Sequence, residues 1–96
     1  MRYLTLALFI LLLLPIHAEF ITYDKVIKNN KANSDYKKGQ LEDAAEKYQE
    51  NAIQYPEDGL LHYNLGNSLY KQEKLDEAKA EYEEFKRNLM SKQREN

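Results

Sequence analysis

Cysteine is absent from the 96 residues, which excludes disulfide scaffolds, thiolate zinc sites, iron-sulfur clusters, cysteine nucleophiles and a lipidated cysteine anchor. Glycine occurs only at Gly39, Gly59 and Gly66, never in the clustered spacing of a phosphate-cradling loop. One histidine, His62, follows the first 18 residues, so a multi-histidine metal site or a Ser-His-Asp triad would rest on a single imidazole. Lys and Arg are interleaved with Asp and Glu and form no basic patch, so nucleic acid is not expected as a partner. Runs such as Asp76-Glu77 and Glu81, Glu83, Glu84 read as solvated helix faces rather than general acid-base pairs. No enzymatic activity, cofactor or metal is expected from this inventory.

What is present is unevenly distributed. The first 18 positions hold 14 hydrophobic residues, whereas from Glu19 onward only 27 of 78 are hydrophobic and 13 basic residues face 16 acidic ones. A chain of this length holds at most one small domain. Arg2 supplies a positive start, an apolar run extends from Leu4 to Leu14 broken only by Thr5, and Pro15 ends any helix before Ile16-His17-Ala18. This is the layout of a secretory signal peptide. A helix of such length rises about 16 Å, against about 30 Å of hydrocarbon core. Residues 1–18 are therefore expected to be a signal peptide cleaved after Ala18, although Ile16 stands where a smaller residue is usual. The alternative is an uncleaved leader that tethers the chain to a membrane. Both place residues 19 onward outside the cytoplasm, in the periplasm or cell envelope.

The remaining chain repeats itself. Sliding it by 34 residues aligns Ala32-Asn33-Ser34-Asp35-Tyr36-Lys37 with Gly66-Asn67-Ser68-Leu69-Tyr70-Lys71, and the match continues through Leu41/Leu75, Ala44/Ala78, Tyr48/Tyr82 and Glu50/Glu84. Eight of 19 positions are identical, where chance would give about one or two. Each unit reads as two helices, giving units at about 25–58 and 59–92 within a domain of residues 19–90, followed by a polar tail, 91–96, expected to fray. In the second unit Asp58 can cap a helix whose apolar face is Leu60, Leu61, Leu65 and Leu69. After a break near Lys74, Asp76-Glu77 suit the positive end of the next helix, which continues through Ala78, Tyr82, Phe85 and Leu89. In the first unit Glu42-Asp43 open the second helix, Ala44, Ala45, Tyr48, Ala52 and Ile53 form its buried stripe, and Pro56 follows where a helix cannot continue. Ala32 or Gly66 opposite Ala44 or Ala78 let the two backbones approach. The fold class is all-α: antiparallel helix pairs stacked as a short solenoid.

On these residues the chain resembles the tetratricopeptide repeat family, whose unit is a 34-residue helix-turn-helix. Leu65-Gly66, Tyr70, Ala78, Tyr82 and the preceding Pro56 carry the resemblance, which spans residues 25 to 90. Several positions depart from it: the pattern's tryptophan site holds Lys28 and His62, a leucine site holds Lys31, Asp35 replaces an aromatic or apolar residue, and Asn51 and Phe85 stand where a small alanine is expected. With the export signal, the string Tyr63-Asn64-Leu65-Gly66-Asn67-Ser68-Leu69-Tyr70 also looks like that of the small repeat proteins of bacterial aerotolerance-type (Bat) operons. That resemblance implies a membrane-anchored von Willebrand A-domain protein as partner.

The resemblance further implies that first helices line a concave groove for a protein or peptide. Its positions fall on Val26, Asn29, Asn33, Tyr36 and Lys37, then on Leu60, Tyr63, Asn67, Tyr70 and Lys71. Carboxamides can both donate to and accept from an extended peptide, tyrosines offer flat contact, and lysines can meet a carboxylate. Each has a plainer reading: the asparagines bonding neighbouring side chains or water, the tyrosines as core, the lysines as solvated charges. A carboxylate clamp with lysine four residues before the groove asparagine is incomplete, because Asn29 and Tyr63 occupy those sites. Two units are fewer than the three or so that usually suffice alone. An association face at Phe85, Leu89 and Met90, through which the chain self-associates as a structural subunit, is the alternative to groove recognition.

Overall fold

The structure, a computed structural model, describes residues 23–95; the expected signal peptide at 1–18 lies outside them. Within that range the chain is all-α, with helices α1 (23–37), α2 (Leu41–Gln54), α3 (Gly59–Lys71) and α4 (Leu75–Glu95) joined by short turns. They form two antiparallel pairs, α1 with α2 and α3 with α4, and α3 packs against both α2 and α4. The α4 helix is longer than expected: the polar stretch Ser91 to Glu95 stays helical.

Local chemistry explains the boundaries. Asp58 caps α3 by accepting the Leu60 amide at 3.2 Å, satisfying one of the donors a helix start leaves unpaired. Glu42 and Asp43 open α2, Asp76 and Glu77 open α4, and Lys92 and Arg94 close it, each charge matching the helix dipole. At the end of α1 the Gln40 amide reaches back to the Asp35 carbonyl, and at the end of α3 the Lys74 amide reaches back to the Leu69 carbonyl. Both turns place one residue in the left-handed region, Gly39 at φ 81° and Glu73 at φ 64°. These two residues are 34 apart, so the helix-ending geometry repeats even where its glycine does not.

The core is built from small residues and tyrosines. Ala32, Ala44, Ala45, Tyr48, Leu65, Leu69 and Ala78 form one buried cluster, with Tyr36 and Tyr82 packed on its edge. Gly66 is needed in the second pair, because a Cβ there would stand 2.7 Å from the Tyr82 ring. Two residues of the expected stripes lie outside. Ile53 is 74% exposed and Leu60 is 64% exposed, since each sits one residue, or about 100° of helix, from a buried neighbour. In α2 the interior face follows Ala44, Ala45, Tyr48, Asn51 and Ala52, so the polar Asn51 at i+7 from Ala44 is enclosed and Ile53 is not. Asn51 donates from Nδ2 to the Lys25 carbonyl at 3.0 Å.

Ion pairs and one hydrogen bond, that of His62, occupy sites where the sequence departs from an apolar pattern. Asp35 in α1 receives Lys47 of α2 at 2.5 Å, Lys28 lies 3.5 Å from Glu50, and His62 of α3 meets Glu81 of α4 at 2.8 Å. The partnership with Asp35 also raises the Lys47 pKa.

Candidate partner-binding groove

The first helices of the two pairs, α1 and α3, leave a cleft of about 240 Å³ lined by Asn33, Tyr36, Lys37, Tyr48, Asn64 and Asn67. Four residues expected in a groove are thereby brought together: Asn33, Tyr36, Lys37 and Asn67. Lys71 joins them indirectly, its ammonium lying 4.5 Å from the centre of the Tyr36 ring, a cation-π contact that ties α3 to α1. Tyr63 is drawn elsewhere. Its ring packs 5.2 Å from Phe85 and 6.0 Å from Tyr82, on the α4 side of α3. Tyr70, Val26 and Leu60 are exposed and line no part of the cleft.

The asparagines have structural partners. The Tyr48 hydroxyl donates to Asn33 Oδ1, and the Tyr82 hydroxyl donates to Asn67 Oδ1 at 2.6 Å. The same bond therefore recurs 34 residues on, joining the first helix of each pair to the second. It is one physical reason for the repeated asparagine, and it bears on ligand chemistry too. Once Oδ1 is engaged, what each carboxamide can offer a ligand is chiefly its pair of N–H donors. With Lys37, the cleft is rich in donors. Burial pushes both hydroxyls above the ordinary tyrosine pKa, helped by Tyr36 and Asp35 around Tyr48 and by Tyr63, Tyr36 and Tyr70 around Tyr82, so they remain protonated donors at neutral pH.

Sequence reasoning missed Tyr48 and Asn64 as part of this cleft. Tyr48 carried a signal in its recurrence at Tyr82, which was assigned to packing alone. Asn64 carried none.

The two pairs are fastened at both ends of the cleft. Lys25 of α1 forms an ion pair with Asp58, the cap of α3, and its ammonium lies 5.3 Å from the Tyr55 ring centre. At the other end Gln72 donates to the carbonyls of Leu41 and Ser68, both at 3.2 Å.

The remaining association-face residues are split. Phe85 is half-buried beneath Tyr63 and next to Gly59, whereas Leu89 and Met90 are about half exposed. Among the described residues, no group of three or more His, Cys, Asp or Glu side chains could hold a metal ion, and no helix is long and apolar enough to cross a membrane.

In comparisons with known proteins, no family model matches the chain and no curated protein matches it.

Proposed function

We propose that the chain is an exported adaptor that holds an extended, acidic segment of a partner protein between α1 and α3, with no chemistry of its own. The observation that supports this reading is the donor-rich cleft, where Asn33 and Asn67 use their oxygens internally and Lys37 stands exposed beside them. An extended peptide presents backbone carbonyls at regular spacing and so matches the amide donors. Acidic side chains would meet Lys37. The setting is a cell-envelope complex, and the resemblance to tetratricopeptide proteins of aerotolerance-type operons makes a membrane-anchored von Willebrand A-domain protein the partner class to examine first.

The test must spare the asparagines, because Asn33→Ala or Asn67→Ala would also strip the acceptor from Tyr48 or Tyr82. Lys37→Glu inverts the charge of the exposed lysine that lines the cleft. Capture from an envelope extract by the parent protein, lost by about tenfold or more in this variant while helicity is unchanged, is the expected outcome. Equal capture by both proteins would remove the cleft as the binding site.

A further inference from the structure

One face of α4 is unused by the fold and has an order of its own. Asp76, Ala80, Glu83, Arg87, Met90 and Arg94 are all exposed. Their alternating spacing of four and three residues keeps them within about 40° of one line along the helix. The line passes over a shallow hollow lined by Asp76, Lys79, Ala80, Glu83 and Arg87, with the small side chain of Ala80 in it. Met90, a flexible apolar side chain that is 48% exposed, lies further along the same line.

The order of residue types is self-complementary under a two-fold rotation. When a second α4 runs antiparallel and crosses at Phe85, residue i faces residue 170 minus i. Asp76 then meets Arg94, Ala80 meets Met90, and Glu83 meets Arg87, each twice. A parallel pairing in register sets Asp76 on Asp76, Glu83 on Glu83 and Arg87 on Arg87. Sliding the antiparallel pair by one heptad leaves a single acid-base match and sets Met90 against Arg87, or Ala80 against Glu83. Only one arrangement satisfies both charge and size, a large side chain entering the hollow of a small one. The ion pair that Arg87 makes with Glu84 is exposed, so exchanging it for a pair across the two-fold costs little.

We infer that α4 is a docking strip for a second copy of this chain, joined antiparallel about Phe85 with Met90 of each copy seated over Ala80 of the other. The strip does not line the cleft between α1 and α3, so this inference and the groove reading can each fail without the other. Contact along one helix is small in area, so association falls in the weak, reversible range.

The experiment is sedimentation equilibrium of the protein as the cell processes it, from about 1 µM to about 1 mM, where interfaces of this size associate. Glu83→Arg alone and Arg87→Glu alone each set like charges across the two-fold and are expected to weaken dimerisation about tenfold. An equimolar mixture of the two variants restores opposite charges and is expected to recover parent-level affinity as a heterodimer. All substituted residues are exposed, so circular dichroism should be unchanged. The cysteine-free sequence allows a unique spin label at Gln93→Cys; antiparallel helices place the two labels about 24 Å apart along the axis, parallel ones only about one helix diameter apart. A parent protein that stays monomeric throughout, reversals without effect, a mixture that fails to recover, or labels about 10 Å apart would each overturn the inference.

Discussion

The two helix pairs use the same hinge pins and different fillings. In both, a tyrosine of the second helix donates to an asparagine of the first, an alanine sits at the closest approach, and a left-handed residue ends the first helix. The fillings diverge where the pairs face different surroundings. Ala45 and Ala52 of α2, the helix on which α3 packs, are buried, whereas the equivalent sites of α4 hold Lys79 and Lys86, both exposed. Sites that fix how two helices meet repeat. Sites on the far side of the second helix differ between the pairs, and among the described residues the lysines of α4 face solvent.

The sharpest way to break this comparison is at the closest approach. Gly66→Ala places a methyl group 2.7 Å from the Tyr82 ring, while the first pair carries a buried alanine at that site. Urea unfolding is expected to show a loss of about 2 kcal/mol, overpacking outweighing the helix propensity gained. Little change would mean that the two pairs close at the same distance.

A smaller effect separates the two hydroxyl bonds. Tyr48 and Tyr82 hold their protons more tightly when folded than when unfolded. Their contribution to stability is therefore fully present below the ordinary tyrosine value and is lost as pH rises beyond about 10 and through the folded values. Stability should be flat up to about pH 9 in this respect and then fall, with Tyr48→Phe and Tyr82→Phe each reducing the fall while costing about 1 kcal/mol at neutral pH. Tryptophan is absent and tyrosine occurs eight times, so the difference in tyrosinate absorbance between the parent and each Tyr→Phe variant reports the titration.

The smallest expected effect has opposite signs in the two pairs. Gly39 and Glu73 share a left-handed backbone, which penalises any side chain by about 1 kcal/mol or slightly more. Glu73→Gly should raise stability by about 0.5 kcal/mol after the entropy of glycine is offset, and Gly39→Ala should lower it by about 1 kcal/mol. Thermal unfolding of the two variants side by side checks both signs.

Much of the fold was legible in the sequence because the 34-residue spacing records helix-to-helix distances directly. Ala32 against Ala44, Asp58 as a cap, and Pro56 after α2 each express one local physical requirement. Legibility failed where two neighbours compete for one face. Ile53 beside Ala52 and Leu60 beside Leu61 are equally apolar by residue type, and only the orientation of the helix decides which is covered. The candidate groove was legible in part for a related reason: recurrence singled out Asn33 and Asn67 but could not distinguish a ligand contact from the bond that closes each pair. Tyr63 was drawn to α4 by Phe85, a residue whose reach across to α3 no one-dimensional pattern encodes.

The fastening of Asp58 to Lys25, with Gln72 reaching Leu41 at the far end, has a consequence for how the molecule comes apart. Asp58 serves two masters: its carboxylate starts one helix and grips another pair. Fraying of α1 therefore releases the ion held by the α3 cap, and loosening of the α3 start frees Lys25 in return. Amide protons on either side of this seam should exchange with solvent at closely similar rates, as a single cooperative body rather than as two beads on a string.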